Sequence, residues 1–158
     1  MATHHAELAI RTTKREETSD ITERVREIVR KSGIREGLCL VASTHTTAAV
    51  FVNENADPDV QRDLLGALAR AVPDGTGYYE ERSSEEQDGP SRERGITYRH
   101  AEGNSPAHIK TVLIGSDVTL AVRDGDLVLG RWQGVYFAEL DGPRSRVATV
   151  SVSGDRAL

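Results

Sequence analysis

The stretch S-T-H-T-T-A-A-V-F-V-N-E-N-A-D-P-D-V, residues 43–60, changes character twice along its length. Small polar residues surround His45, an apolar run follows at 48–52, and amide and acidic side chains complete the stretch. The apolar run predicts a strand. Asp57-Pro58-Asp59 predicts a helix start, because Asp57 can cap it, proline suits its first position and an acid favours the positive end of the helix dipole. The stretch therefore predicts a strand that leads into a helix, with polar side chains at both ends.

Further helix signals lie on both sides of this stretch. Asp20 and Glu23 fit the N-cap and N3 positions of a helix, and Gly33 fits its C-cap. Ser105 and Pro106 fit the start of another helix. We therefore expect three helices, near residues 20–32, 58–72 and 105–115.

Apolar runs separated by turn residues predict a mainly antiparallel sheet. Asp124-Gly125 and Asp141-Gly142 are typical of hairpin turns in the last third of the chain. Such strands with a few inserted helices indicate an α+β fold, and we expect one domain, residues 1–158, built as an antiparallel-rich β-sandwich with about three helices. The expected strands cover residues 6–14, 38–43, 48–52, 96–99, 118–122, 127–129, 135–140 and 147–152.

Length, charge and composition restrict the class of protein. The chain has 158 residues, a net charge of −5 and a pI of about 5.5, which argues against sequence-independent binding to nucleic acid or anionic lipid. Its longest apolar run, residues 38–42, is far too short to span a membrane. Cys39, the only cysteine, lies in that run and is expected to be buried and inert. We expect a cytoplasmic protein with no nucleic-acid or membrane partner.

Residues 80–94 differ from the rest of the chain. Their sequence, E-E-R-S-S-E-E-Q-D-G-P-S-R-E-R, is dense in charge and contains no apolar residue. Without an apolar anchor, nothing offsets the entropy that the segment would lose on ordering. We expect a mobile surface loop that is dispensable for folding.

Three histidines, His45, His100 and His108, stand at the boundaries of expected elements. Neutral imidazole is a common zinc ligand, and an open catalytic zinc site uses three protein ligands plus water. Their separations, 55 and 8 residues, match no compact zinc signature, so each could instead make only local hydrogen bonds. His4 and His5 are expected in a frayed terminus without a functional role.

Other polar residues could contact phosphate or metal. Glu54 has no evident structural role, whereas Asp57 can serve as a helix cap. The helix entry at Asn104 and Ser105 offers free backbone N–H groups, which suit a phosphate. Lys110 could add positive charge there, or could be an ordinary solvated lysine.

Several longer blocks resemble the YjbQ family. They are H-T-T-A-A-V-F-V-N-E-N-A-D-P-D-V, Y-R-H followed by A-H-I-K, I-G-S-D-V-T-L-A-V, and L-G-R-W-Q-G-V-Y. Members of that family are commonly described as secondary thiamine-phosphate synthases. The resemblance implies a compact α+β fold with a β-sandwich core, a homotrimer, and polar pockets. It places the shared site at His45, Asn53, Glu54, Asp57, His100 and His108, with Trp132 and Gln133 in the last block.

Two features depart from the family pattern. Ser105 and Pro106 stand where many relatives have an additional histidine, so a ligand set that uses this histidine is not available here. Arg131 stands where the family usually has a small residue before the tryptophan. Trp132 itself lies between glycines, which is typical either of a close backbone approach or of a core residue at a bend.

The resemblance implies a reaction that joins a pyrimidine methyl diphosphate to a thiazole phosphate and releases pyrophosphate. A divalent metal, magnesium or zinc, would neutralise the diphosphate. Two alternatives remain, a zinc-assisted hydrolase that uses the three histidines and a non-catalytic trimer that binds a small anionic metabolite. The expected catalytic residues are His45, Glu54 and His108, and the expected metal ligands are His45, His100, His108 and Asp57. The expected substrate contacts are Thr46, Thr47, Asn53, Asn104, Ser105, Lys110, Trp132 and Gln133.

The strand at 48–52 sets the distance between His45 and Glu54. It spans about 17 Å at roughly 3.3 Å per residue, so the two side chains are expected at opposite ends of it. One pocket that contains both requires a bend at the threonines or a neighbouring subunit. We favour the subunit interface, because a trimer brings such ends together without strain.

Overall fold

The computed structural model describes residues 1–75 and 96–156, and in these ranges it contains three α-helices and eight β-strands. The predicted mobile loop at 80–94 lies outside the described residues. The helices are α1 (Thr22–Ser32), α2 (Pro58–Ala71) and α3 (Ser105–Ile114). The strands are β1 (Ala2–Arg11), β2 (Glu17–Asp20), β3 (Ile34–Ser43), β4 (Ala48–Glu54), β5 (Asp117–Arg123), β6 (Asp126–Leu127), β7 (Gln133–Glu139) and β8 (Ser145–Arg156).

The strands form two antiparallel sheets. One has five strands in the order β1-β8-β3-β5-β6, and the other has three in the order β2-β7-β4. The longest pairing joins β1 to β8, from Ala2 opposite Gly154 to Arg11 opposite Ser145. The predicted α+β fold, with an antiparallel sandwich and three helices, is confirmed.

The inner faces of the two sheets enclose one hydrophobic core. Phe137 on β7 and Val150 on β8 are fully buried in it, as are Val25 and Val29 on α1. The two valines lie four residues apart, which places them on one face of the helix. Cys39 on β3 is also buried, as predicted, and burial raises the pKa of its thiol to about 11. At neutral pH this cysteine is therefore an unreactive core residue.

Local signals place the helix ends close to where they are expected. Asp57 caps α2 by accepting a hydrogen bond from the backbone N–H of Asp59 at 2.9 Å. Gly33 ends α1 with φ of 69°, a left-handed conformation that glycine adopts at little cost. Asp20 accepts a hydrogen bond from the backbone N–H of Thr22, the first residue of α1. The N-cap position itself is occupied by Ile21, so the predicted N-cap at Asp20 is wrong by one residue.

One of the two predicted hairpin turns is confirmed and the other is wrong. Asp124 and Gly125, with φ of 53° and 80°, join β5 to its neighbour β6. Asp141 and Gly142 instead lead from β7 in the three-stranded sheet to β8 in the five-stranded sheet. A turn signal does not say whether the next strand pairs with the previous one or crosses to the other layer, because long-range pairing decides that.

The expectation of a frayed N-terminus is wrong. β1 begins at Ala2, so His4 and His5 lie in a paired strand, and His5 Nδ1 is 2.9 Å from Ser151 Oγ. The strand β8 pairs with β1 along the full length of β1 and holds the terminus in place.

The expected strand at residues 96–99 is also wrong, because residues 96–100 form no strand. The hydroxyl of Tyr98 instead donates to the backbone carbonyl of Pro73 at 2.9 Å and anchors this segment. None of the helices in the described ranges is long and apolar enough to cross a membrane.

Candidate functional site

A cluster of polar side chains lies where β4 begins, β7 ends and β8 begins. At its centre, Arg146 donates from Nε to Glu139 Oε2 at 2.7 Å and from Nη2 to Oε1 at 2.6 Å. Glu139 has no exposed surface, and Arg146 is 6% exposed. A buried ion pair is tolerated only with good geometry and with its other polar groups hydrogen-bonded. We call this cluster the polar junction; its members are Thr12, His45, Thr47, Asn104, Glu139, Asp141, Arg144 and Arg146.

Hydrogen bonds from separate parts of the chain surround Glu139. The hydroxyl of Thr12 donates to Oε2 at 2.9 Å, and the backbone N–H groups of Leu140 and Asp141 each donate to Oε1 at 2.9 Å. Burial alone would raise the pKa of Glu139, but the hydrogen bonds from Arg146 and from these groups lower it below its usual value. Glu139 is therefore a carboxylate at neutral pH, and it ties together the ends of β1, β7 and β8.

His45 lies in the turn between β3 and β4 and is held against the start of β8. Its Nε2 accepts a hydrogen bond from the backbone N–H of Val147 at 2.9 Å. The hydroxyl of Thr44 donates to the carbonyl of Val147 at 3.4 Å. Burial, and then the Arg146 guanidinium, lowers the pKa of His45, while Glu139 opposes the shift. His45 is therefore a half-buried imidazole that is neutral near pH 7.

The start of α3 completes the polar junction. Asn104, directly before α3, donates from Nδ2 to Asp141 Oδ2 at 3.0 Å, and Arg144 donates from Nη2 to the same oxygen at 2.8 Å. The rings of His100 and His108 stack with their centroids 5.3 Å apart. Since His108 lies in the first turn of α3, this histidine pair is adjacent to Asn104. Two of the three predicted histidines therefore lie together.

Glu54 lies at the other end of β4. Strand pairing places the first residue of β4 opposite Glu139 and places Glu54 opposite Gln133. The strand spans about 20 Å at roughly 3.3 Å per residue, so His45 and Glu54 lie at opposite ends, as predicted. We call residues 53–57, which follow the apolar part of β4, the acidic end.

Two open clefts adjoin the acidic end. The first, of about 430 Å³, is lined by residues that include Arg131 and Gln133. The second, of about 460 Å³, is lined by residues that include Gln61 and Tyr136. Asn55 lines both clefts. The acidic end thus borders open space into which a small molecule could fit.

The other predicted contact residues have different surroundings. Lys110 is 2% exposed and donates from Nζ to Glu16 Oε1 at 2.5 Å, so the alternative of a solvated lysine is wrong. Trp132 is 55% exposed, with the Arg131 guanidinium 4.9 Å from its ring centroid, so it is not a core residue. The side chain of Gln133 accepts a backbone N–H three residues earlier at 2.7 Å and closes its own turn. Four more of the predicted contact residues are partly or fully exposed: Thr46, Asn53, Asn104 and Ser105.

A single chain does not bring the predicted metal ligands together. Within residues 1–75 and 96–156, no group of three or more His, Cys, Asp or Glu side chains is placed to hold a metal ion. The Nε2 lone pair of His45 is already used by the N–H of Val147, and Asp57 lies at the opposite end of β4. His100 and His108 remain as a pair, so a metal site that uses them needs further donors from outside the described residues.

Four charged members of the polar junction were not predicted from the sequence: Glu139, Asp141, Arg144 and Arg146. They belong to the segment E-L-D-G-P-R-S-R, which directly follows the apolar part of β7. This density of charge beside a buried strand was the available signal. The turn signal at Asp141-Gly142 accounts for only two of these residues and does not indicate that the charges around it meet.

Comparison with known proteins identifies relatives along almost the whole chain. A family model described as UPF0047 protein YjbQ-like matches residues 6–155. The UPF0047 protein YugU of Bacillus subtilis is 40% identical over 147 residues, which cover 93% of this chain and 97% of YugU. A crystal structure of an uncharacterized YjbQ/UPF0047 protein from Clostridium acetobutylicum has 38% identity and a TM-score of 0.79, covering 94% of this chain and 99% of that one.

A second solved structure extends the match in fold. It is a protein of unknown function from Sulfolobus solfataricus, with 30% identity and a TM-score of 0.82, and the match covers 98% of this chain and 99% of that one. This chain and the two solved structures therefore agree in sequence and in fold over nearly the full length of each chain. The chain belongs to the YjbQ-like UPF0047 family.

Proposed function

We propose that this chain is a transferase of the thiamine-phosphate-synthase kind, which acts on small phosphorylated substrates as a cytoplasmic homotrimer. The observation that carries the proposal is the polar junction, because it gathers hydrogen-bond donors beside the start of α3, where the stacked pair of His100 and His108 also lies. Helix N-termini and charged donors stabilise phosphate oxygens. The proposed reaction joins a pyrimidine methyl diphosphate to a thiazole phosphate and releases pyrophosphate.

The proposed reaction exchanges one bond for another at the pyrimidine methylene carbon. Its C–O bond to the diphosphate breaks, the electron pair leaves with pyrophosphate, and the thiazole nitrogen forms a new bond to this carbon. His108, half-buried in the first turn of α3, is the proposed general acid for the departing pyrophosphate, since imidazole is the usual general acid near neutral pH. Asn104 and Ser105 are the proposed contacts for its oxygens.

The acidic end requires a second subunit in this proposal. Glu54 lies about 20 Å from the polar junction of its own chain, too far to share one small substrate with it. A cyclic trimer can bring the acidic end of one subunit to the junction of the next. Ile109, Val112 and Leu113 on α3 are exposed apolar residues beside the junction, and association would remove them from water.

A divalent metal, magnesium or zinc, stays a prediction. Because the described residues of one chain do not bring such a ligand set together, the proposed set combines His100 and His108 of one subunit with carboxylates of the acidic end of its neighbour. Metal analysis of the untagged trimer tests this arrangement. Tightly bound zinc together with hydrolysis of a substrate would favour the zinc-assisted hydrolase.

The deciding experiment measures thiamine phosphate formed from the two precursors by the wild type, by His45→Ala and by Glu54→Ala. Both single variants are expected to be inactive. When equal amounts of the two variants are refolded together, about half of the subunits carry an intact junction and about half carry an intact acidic end. An interface is functional only where both parts are intact, which is expected at about one interface in four. The mixed trimers are therefore expected to recover about a quarter of the wild-type activity.

Each outcome of the experiment separates the alternatives. Mixed trimers as inactive as the single variants would refute a site shared between subunits. Wild-type protein that binds the precursors and never turns them over would refute the transferase and favour a non-catalytic trimer that binds a small anion. A monomer in sedimentation at micromolar concentration would exclude the shared site altogether.

A further inference from the structure

His45 extends the hydrogen bonding of the five-stranded sheet beyond the end of β3. The last pair between β3 and β8 joins Ser43 to Ala148. At the next position, β8 offers the N–H and the C=O of Val147. The ring of His45 accepts from this N–H at 2.9 Å, and the hydroxyl of Thr44 donates to this C=O at 3.4 Å. Two side chains thus replace the backbone partner that β3 no longer supplies.

This contact fixes the position of the ring proton. A backbone N–H does not give up its proton near neutral pH, so Nε2 of His45 must offer its lone pair to it. In a neutral imidazole the proton then resides on Nδ1. A proton on Nε2 would bring two donors, the ring N–H and the backbone N–H of Val147, face to face with no acceptor between them. His45 therefore presents a hydrogen-bond donor, and not an acceptor, on the side of the ring that faces away from β8.

Arg146 supplies a second donor next to His45. Its Nε and Nη2 bond to Glu139 and Thr47. Its Nη1 forms no hydrogen bond to the residues that the structure describes. Because Nη2 of Arg146 donates to the hydroxyl of Thr47, two residues after His45, and the N–H of Val147 holds the His45 ring, the two donors lie in the same part of the junction.

We infer that Nδ1–H of His45 and Nη1 of Arg146 form a subsite for an oxygen atom of an anionic ligand, and that Glu139 holds both donors in position. The ligand class, a phosphate or diphosphate oxygen, rests on the proposed function, whereas the donor character of His45 rests on the geometry alone. The charges of the junction's two arginines and two carboxylates, Glu139, Asp141, Arg144 and Arg146, cancel. Selectivity for the ligand therefore comes from directed hydrogen bonds and not from net charge.

NMR of the full-length chain labelled with ¹⁵N-histidine tests the tautomer without any turnover. Long-range ¹H–¹⁵N correlations are expected to show the proton of His45 on Nδ1 and a lone pair on Nε2 at neutral pH. His5, whose Nδ1 contacts the Ser151 hydroxyl at the surface, is the internal comparison, and the spectrum of His45→Met assigns the resonance. A proton on Nε2, or a doubly protonated ring, would overturn the inference.

Titration with inorganic pyrophosphate and with inorganic phosphate tests the ligand. The better-fitting anion is expected to shift the Nδ1 resonance of His45 and to leave His5 unchanged. His45→Met keeps a weak acceptor, its thioether sulfur, within reach of Val147 and has no N–H donor. It is expected to keep the wild-type melting temperature and to bind that anion about tenfold more weakly, the loss of one charge-assisted hydrogen bond.

The possible results distinguish the subsite from the proposed function. If neither anion shifts the Nδ1 resonance of His45, or if His45→Met binds the anion as tightly as the wild type, the subsite is refuted even when the tautomer is as expected. If the tautomer, the binding and the weakening are all found in a protein without transferase activity, the subsite stands and the transferase reaction is refuted.

Discussion

Glu139→Gln is the most direct test of the polar junction, because it keeps the size of the side chain and removes its charge. The carboxylate accepts from Nε and Nη2 of Arg146, from the hydroxyl of Thr12 and from the backbone N–H groups of Leu140 and Asp141. The amide nitrogen of glutamine is itself a donor, so it faces donors at one of the two former oxygen positions. Arg146, 6% exposed, is then left without a counter-charge.

The expected loss of stability is large. Removing one partner of a buried ion pair costs about 3–5 kcal/mol. For a chain of this length each kcal/mol lowers the melting temperature by about 2–4 °C, so a decrease of about 10 °C is expected. Circular dichroism melting at one fixed protein concentration measures it, since assembly makes the melting temperature depend on concentration. Arg15→Gln is the matched control, because the Arg15–Asp74 pair is 58% and 59% exposed and is expected to contribute less than about 1 kcal/mol.

The pH dependence of Glu139→Gln provides a second readout. The pKa of Glu139 is lowered in the folded chain, so its contribution is fully present above the pKa of the unfolded chain and is lost as the pH falls through the lowered value. The difference in melting temperature between wild type and variant is expected to be constant near neutral pH and to narrow below about pH 4. A variant that melts within about 2 °C of the wild type at pH 7, or a difference that widens in acid, would refute the reasoning.

Further changes test the fold. Asp57→Ala removes the cap of α2 and is expected to cost about 1 kcal/mol in urea unfolding; an unchanged midpoint would contradict the capping role. Gly37→Ala would place Cβ 2.0 Å from the Ser153 carbonyl and is expected to cost about 2 kcal/mol. Its control, Gly66→Ala, has no neighbour nearer than 3.8 Å and is expected to stabilise α2 by about 0.5–1 kcal/mol, so equal effects would contradict this comparison. Deletion of residues 80–94 is expected to leave the melting temperature unchanged, and a clear decrease would mean that the segment packs.

Features whose causes lie within a few residues could be predicted from the sequence. The cap at Asp57 and the end of α1 at Gly33 depend on neighbours within one helical turn. The separation of His45 from Glu54 follows from the length of one strand. The connection at Asp141-Gly142 could not be predicted in this way, because the same turn residues serve a hairpin and a crossing between sheets.

The assembly of the polar junction could not be predicted, because the charged segment 139–146 meets partners that are distant in the chain. Thr12 and Glu139 are 127 residues apart, and Thr47 and Arg146 are 99 apart. Periodicity identifies strands and helices but does not say which of their ends meet.

The role of His45 is the clearest example of a property that local sequence patterns do not determine. Residue type and neighbours indicated a base or a metal ligand, since imidazole serves as both. The N–H that occupies its Nε2 belongs to Val147, 102 residues later. Which nitrogen of a histidine is free to act is thus a property of the fold, so a sequence can locate a functional histidine without saying whether it will accept a hydrogen bond or donate one. In this chain the contact that continues the hydrogen bonding of the sheet beyond β3 also makes His45 a donor, and a tautomer measurement tests that donor character.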